Sequence, residues 1–316
     1  MRANNFDGLC LAGALGVLWS HMFLLSGWNE PRTPIGGTYG HISVLMFFSI
    51  SGYLVSLSWQ RDPHAGRFLA RRALRILPGV LVALLLAHAV VNLLGLSGFP
   101  ANPYPQLNEP LWTIPLEIYC YILLAGILII LARVLIAGKR ASAWMVLVMF
   151  GGVVVARVLD SYAALFSYGL FFAMGVLVAE YGILKRPAII VGMFLLAMGF
   201  LYTQHFYMVR ALLLPLAVIY IGTRSWPIVR SAGKFGDFSY GIYIYAWPVQ
   251  QITVAYLPDA PFTSLLVISL AVTTGLAWLS WRFIEKPALA FKPGGTGWVA
   301  GGRSRLPKAG HAETPG

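Results

Sequence analysis

The sequence divides into apolar runs about twenty residues long, the length a helix needs to cross the hydrocarbon core of a bilayer. In lipid every backbone polar group must be satisfied within the segment, so runs of this kind fold as helices packed against one another. About ten such runs can be counted. They are Phe6–Gly27, His41–Trp59, Ile76–Ser97, Leu111–Ala137, Ala143–Leu159, Tyr162–Tyr181, Ala188–His205, Met208–Thr223, Phe238–Leu257 and Phe262–Ile284. With 58% hydrophobic and 11% charged residues, against roughly 25% charged in soluble chains, the expectation is an all-α, polytopic integral membrane protein. The first run lacks the short apolar core and small-residue cleavage site of a secretory signal, so it is expected to be a retained span. Cys10 and Cys120 lie inside apolar runs and suggest no disulfide framework.

Charge sets the expected orientation. With the N-terminus in the cytoplasm, all of the 23 Lys and Arg residues except Arg32, Arg157 and Arg210 fall on the cytoplasmic side, as the positive-inside rule requires. N-in and C-in is therefore expected, and the net charge of +12 reads as basic cytoplasmic loops in contact with membrane lipids rather than as a nucleic-acid surface. Trp28, Trp59, Trp112 and Trp226 mark span ends. Residues 293–316, rich in Gly, Pro and basic residues, are expected to form a disordered tail behind a transmembrane domain of residues 1–292.

Ionisable groups inside such spans are costly and mark function unless a neighbour satisfies them. His21 lies within the first run, roughly 9 Å below its outer end. It is either a hydrogen-bonding residue or a general base. Glu117, in LWTIPLEIYCY, is placed by the same count at roughly the same depth. It either binds a backbone group or a water, or orients the imidazole and supports its charged form. In RFLARRALRILP, Arg67, Arg71 and Arg75 recur every four residues and share one helical face, with Arg72 beside it. Such a face sets topology, or it grips phosphate. In FGDFSYGIYIYAWPVQQ, Pro248 interrupts a helix and frees carbonyls, and Ser239, Tyr240, Tyr243, Tyr245, Gln250 and Gln251 make the span unusually polar. Ser49, Ser51 and Gly52 of FFSISGYLV read mainly as helix packing. His41, His88 and His205 are expected at a solvated interface. No HExxH, cysteine pair or carboxylate cluster suggests a metal.

NNFDGLCLAGALGVLWSH, FFSISGYLV, RFLARRALRILP, LWTIPLEIYCY, FGDFSYGIYIYAWPVQQ and WRFIEKPAL occur in this order between Asn5 and about Lys292. Together they resemble the acyltransferase 3 family of integral membrane O-acyltransferases, and the AWPVQQ stretch resembles its YAFPVQQ subgroup. The resemblance implies transfer of an acyl group, usually acetyl, from cytosolic acyl-CoA as co-substrate, with no bound cofactor. The acceptor would be a hydroxyl of a glycan or lipid-linked sugar, and the location the bacterial cytoplasmic (inner) membrane. By position, His21 matches the family's essential histidine, Arg71, Arg72 and Arg75 its basic motif for the donor, and Glu117 its glutamate. Asp7, Ser239, Tyr240, Tyr243 and Gln250 are candidates for the acceptor or donor pocket. Cys10 stands where relatives usually carry an arginine, so a degenerate, non-catalytic homologue is one alternative. A proton-coupled transporter of a small solute, using His21 and Glu117 as relay, is another.

Overall fold

The computed structural model describes residues 4–93, 107–134, 163–227 and 238–293, together with positions 102, 104 and 229. The fifth apolar run and the tail beyond 293 lie outside the described residues. The helices are α1 Phe6–Ser26, α2 Tyr39–Arg61, α3 Ala65–Leu93, α4 Thr113–Val134, α5 Ala163–Glu180, α6 Pro187–Tyr202, α7 Phe206–Thr223, α8 Ser239–Tyr256, α9 Phe262–Ser280 and the short α10 Lys286–Ala290. A 3-10 turn, Glu109–Trp112, leads into α4, and a π-helical turn, Trp281–Glu285, joins α9 to α10. Five of these stretches are long and apolar enough to cross a membrane: α1, α2, α3, α7, and Phe262–Ala290.

Local chemistry explains the ends. Gly27 closes α1 in the left-handed region, at φ 73°, donating its N–H to the Phe23 carbonyl. Thr38 caps α2 by accepting the N–H of His41 at 3.2 Å. The start of α1 is clasped to the end of α7. The Asn5 N–H donates to the Gly222 carbonyl at 2.9 Å and its side-chain amide to the Ile221 carbonyl at 3.0 Å, while the Trp226 N–H donates back to Asn5 Oδ1 at 2.9 Å.

Small residues set the helix spacing, as expected where lipid supplies no hydrophobic drive between helices. Antiparallel α1 and α2 meet at Gly40 on Ser20, Gly16 on Ser43, and Gly13 on Met46 and Phe47. Parallel α2 and α5 close even further: a side chain at Gly52 would strike the Phe172 carbonyl, and one at Gly175 the Ser49 carbonyl. Opposite α2, α1 packs Ala14 and Leu18 against Ile242 and Ala246 of α8 and Ala277 of α9.

The segment before α4 departs from the sequence expectation. Residues 98–110 were expected to form a loop beyond the membrane. Instead, the described part of this segment runs down along α8. Asn102 Nδ2 donates to Gln251 Oε1 at 2.6 Å, and Asn108 Nδ2 donates to the Ile244 carbonyl at 2.9 Å. Tyr243 donates its hydroxyl to the Pro110 carbonyl at 3.0 Å and lies 2.7 Å from Thr113 Oγ1. Gln251 and Tyr243 are eight residues apart on α8, so the segment descends by about 12 Å. The Ile244 carbonyl is the one Pro248, lacking an N–H, leaves without its helical donor. Asn108 takes its place, and α8 continues through the proline rather than breaking there.

Replacing Gly52 with leucine is expected to force α2 and α5 apart, at a cost of about 1–3 kcal/mol. Thermal unfolding of the detergent-solubilised protein should show a lower Tm for this variant than for the wild type.

Candidate active site

Polar side chains gather at three levels of the bundle. The first is the end where α2 passes into α3, here termed the basic end. Asp62, in the turn between them, accepts Arg67 Nη2 at 2.6 Å and Nε at 3.0 Å, and Arg71 Nη1 at 2.6 Å. The hydrogen bond from Arg67, then that from Arg71, holds the Asp62 carboxyl well below the usual carboxylate range. The sequence reading did not single out Asp62; its signal is a lone acid within a run of arginines. The remaining edge of Arg71, Nε and Nη2, is buried without a hydrogen-bond partner, and so is Nε of Arg72. The four arginines of the motif therefore divide. Arg67 and Arg71 converge on Asp62, whereas Arg72 turns inward over the rings of Phe68 at 5.8 Å and Tyr121 at 5.9 Å. Arg75 lies near Arg72 and within electrostatic reach of Tyr240.

The second level is the interior around Glu117. Its Oε1 accepts Ser51 Oγ at 2.9 Å and the Tyr121 hydroxyl, and those two hydroxyl oxygens are 2.9 Å apart. Ser51 stands eleven residues beyond Gly40 on α2, and Gly40 is level with Ser20. Glu117 therefore lies about 16 Å from His21 along the bundle. This overturns the expectation that the two share a depth and that Glu117 orients the imidazole. The error has one source: α4 starts deep inside, after the descending segment, so counting residues from a loop at the surface misplaces Glu117.

The third level is the far end, at the seam of α1 and α8. The His21 ring meets the Trp247 ring edge-on, with centroids 4.9 Å apart. Its Nδ1 is buried and has no hydrogen-bond partner. One helical turn back, Gln250 Nε2 donates to the Leu18 carbonyl at 2.7 Å, while Gln250 Oε1 is buried and unpartnered. The seam thus holds an imidazole nitrogen and an amide oxygen that are both buried and without partners.

The other candidates stand away from these three levels or between them. Tyr240 donates to the Ile76 carbonyl at 2.7 Å, and Tyr243 to Pro110, so both hydroxyls tie the backbone of neighbouring segments to α8. Ser239 opens α8, buried, and Asp7 is half-buried in the first turn of α1, where the helix dipole favours an acid. His41 Nδ1 lies 3.1 Å from the Tyr168 hydroxyl, whereas His88 and His205 are exposed.

The acyltransferase domain model of the acyltransferase 3 family matches residues 4–282. The chain belongs to this family. It is an integral membrane acyltransferase. An O-acetyl transferase of Shigella phage Sf6 is 30% identical, over 90% of this chain and 96% of that protein. Nodulation protein 10 of Rhizobium leguminosarum bv. viciae is 28% identical, over 92% of this chain and 94% of its own length. No solved structure matches the chain. Where acyltransferase 3 relatives usually carry an arginine, Cys10 packs against an apolar cluster that includes Phe6, Ile50 and Ile219.

The lowered Asp62 carboxyl has a signed consequence. Its stabilising ion pairs are fully present above the ordinary carboxylate pKa of about 3.9, and they are lost as pH falls through the lower folded-state value. Melting curves recorded across acid pH should therefore drop more steeply below about pH 4 for the wild type than for Asp62→Asn.

Proposed function

We propose that this acyltransferase carries an acyl group, most simply acetyl, across the bilayer from cytosolic acyl-CoA to a hydroxyl of a cell-surface or secreted glycan. In this reading the basic end faces the cytoplasm of a bacterial inner membrane. The chain crosses about ten times, with both ends inside, in line with its distribution of Lys and Arg. One observation carries the proposal. Buried N–H groups of Arg71 and Arg72 lack partners at the basic end, and the buried His21 Nδ1 and Gln250 Oε1 lack them at the far end. Buried polar atoms in lipid-facing proteins are costly to leave unmatched. Other such atoms occur on Asn108, Arg210, Ser269 and Thr273, but a pair of guanidinium groups at one end and an imidazole beside an amide at the other suit two substrates that approach from opposite sides.

Guanidinium forks match phosphate oxygens, so Arg71 and Arg72, with Arg75 beside them, would hold the nucleotide end of acyl-CoA. Its extended arm would then carry the thioester toward His21. There the imidazole takes the proton of the acceptor hydroxyl, whose oxygen attacks the thioester carbonyl carbon. The new C–O bond forms, the C–S bond breaks, and the departing CoA thiolate receives the proton from the imidazolium. Gln250 Oε1 would orient the acceptor hydroxyl. The similarity to an O-acetyl transferase of Shigella phage Sf6 supports acetyl as the simplest group.

Expression of the wild type and of His21→Ala in a host without glycan acetylation tests this reading. Mass spectrometry of surface and secreted glycans should find acetyl esters only with the wild type. Equal ester content with both would remove His21 from the chemistry.

A further inference from the structure

We infer that Ser51, Tyr121 and Glu117 are a positioning device for Arg72 at the donor site, an inference that rests on the acyl-CoA reading above. Glu117 Oε1 receives both hydroxyls at once. Each hydroxyl has a single proton to give, and two of them directed at one oxygen suit a carboxylate, whose oxygens only accept. Such a charge in the interior of a helix bundle requires a cation nearby. Arg72 supplies it. The guanidinium lies within electrostatic reach of Glu117 and rests on the ring of Tyr121, whose hydroxyl holds Glu117.

The arrangement stops short of a direct ion pair. Asp62 makes close ion pairs with Arg67 and Arg71, and no such pair joins Arg72 to Glu117. Arg72 is thus attracted from a distance, stacked between Phe68 and Tyr121, and left with its buried Nε undirected toward any protein group. A guanidinium fixed in place by charge and by aromatic faces, with a donor kept open, is poised to receive a phosphate or carbonyl oxygen of the donor. Because Glu117 lies about 16 Å from the level of His21, its effect is on holding the donor and not on the proton transfer. Ser51 and Tyr121 thereby join the set of residues that determine how tightly acyl-CoA is held.

The test measures binding of radiolabelled acetyl-CoA to the purified protein in lipid nanodiscs, alongside kcat, KM for acetyl-CoA and the pH profile of kcat. Tyr121→Phe keeps the ring under Arg72 and removes only the hydroxyl; Glu117→Gln removes the charge; Ser51→Thr retains a hydroxyl that Ser51→Ala lacks. The expected result is a Kd and KM raised about tenfold, equivalent to about 1.4 kcal/mol, in Tyr121→Phe, Glu117→Gln and Ser51→Ala. Affinity should be retained in Ser51→Thr, and the pH profile of kcat should superimpose on that of the wild type. Unchanged acetyl-CoA affinity with a lower kcat and a displaced pH profile would overturn the inference and return Glu117 to His21. Wild-type protein that binds no acetyl-CoA would overturn the donor reading itself, and this inference with it.

Discussion

The depth at which α4 begins, and with it the place of Glu117, depends on one substitution of hydrogen-bond partners. Pro248 has no N–H, so the carbonyl of Ile244 lacks its helical donor, and the side chain of Asn108 provides another. Together with the contacts of Asn102 to Gln251 and of Tyr243 to Pro110, this draws a polar, proline-rich segment down the side of α8. Non-helical backbone at membrane depth is tolerated only where protein satisfies it, and α8 is unusually well supplied with Tyr and Gln side chains that do so. The start of α4, and with it Glu117, is set by that seam.

This is also where reading the sequence alone fails. The apolar runs correspond to helices almost one for one among the described residues, because run length and composition report directly on the bilayer. The glycines and serines of FFSISGYLV pack as their size implies, though Ser51 also serves Glu117. The depth of a residue is a different matter, since it is counted from an assumed surface. Asn, Pro and Gly between residues 98 and 110 look like an exposed loop to any rule based on polarity. Nothing local reveals that their partners lie on a helix more than 130 residues further along the chain. The arginine motif shows a second limit. Spacing of four places Arg67 and Arg71 on one face, and they do meet at Asp62, but Arg72 is claimed by two aromatic rings from separate parts of the chain. The tyrosines of α8 show a third: their hydroxyls look available in the sequence, and Tyr240 and Tyr243 are spent on backbone carbonyls.

The polar atoms that find no partner form a pattern of their own. Some stand at the α2–α3 end, on Arg71 and Arg72, and some at the α1–α8 seam, on His21 and Gln250, while others, among them Asn108 Oδ1, Arg210 Nε, Ser269 Oγ and Thr273 Oγ1, lie elsewhere in the bundle. Between these ends lies the Glu117 cluster, in which the carboxylate has two donors and a nearby cation. A saturated acid between two unsaturated sites divides the labour differently from a catalytic pair. In the proposed reading the imidazole works with what the acceptor brings, and the acid works on the grip of the donor.

The clasp between Asn5 and residues 221–226 bears on how the protein is made. The α1 helix is held at its base by backbone that is synthesised more than two hundred residues later. Until that stretch arrives, this end of α1 lacks the clasp and rests on α2, where the Phe6 and Tyr53 rings meet, and the partner of its imidazole, Trp247, does not yet exist. The seat of the imidazole is therefore among the last parts of the bundle to be completed, and a truncated chain inserted in the membrane would hold its histidine without the surroundings that give it a use.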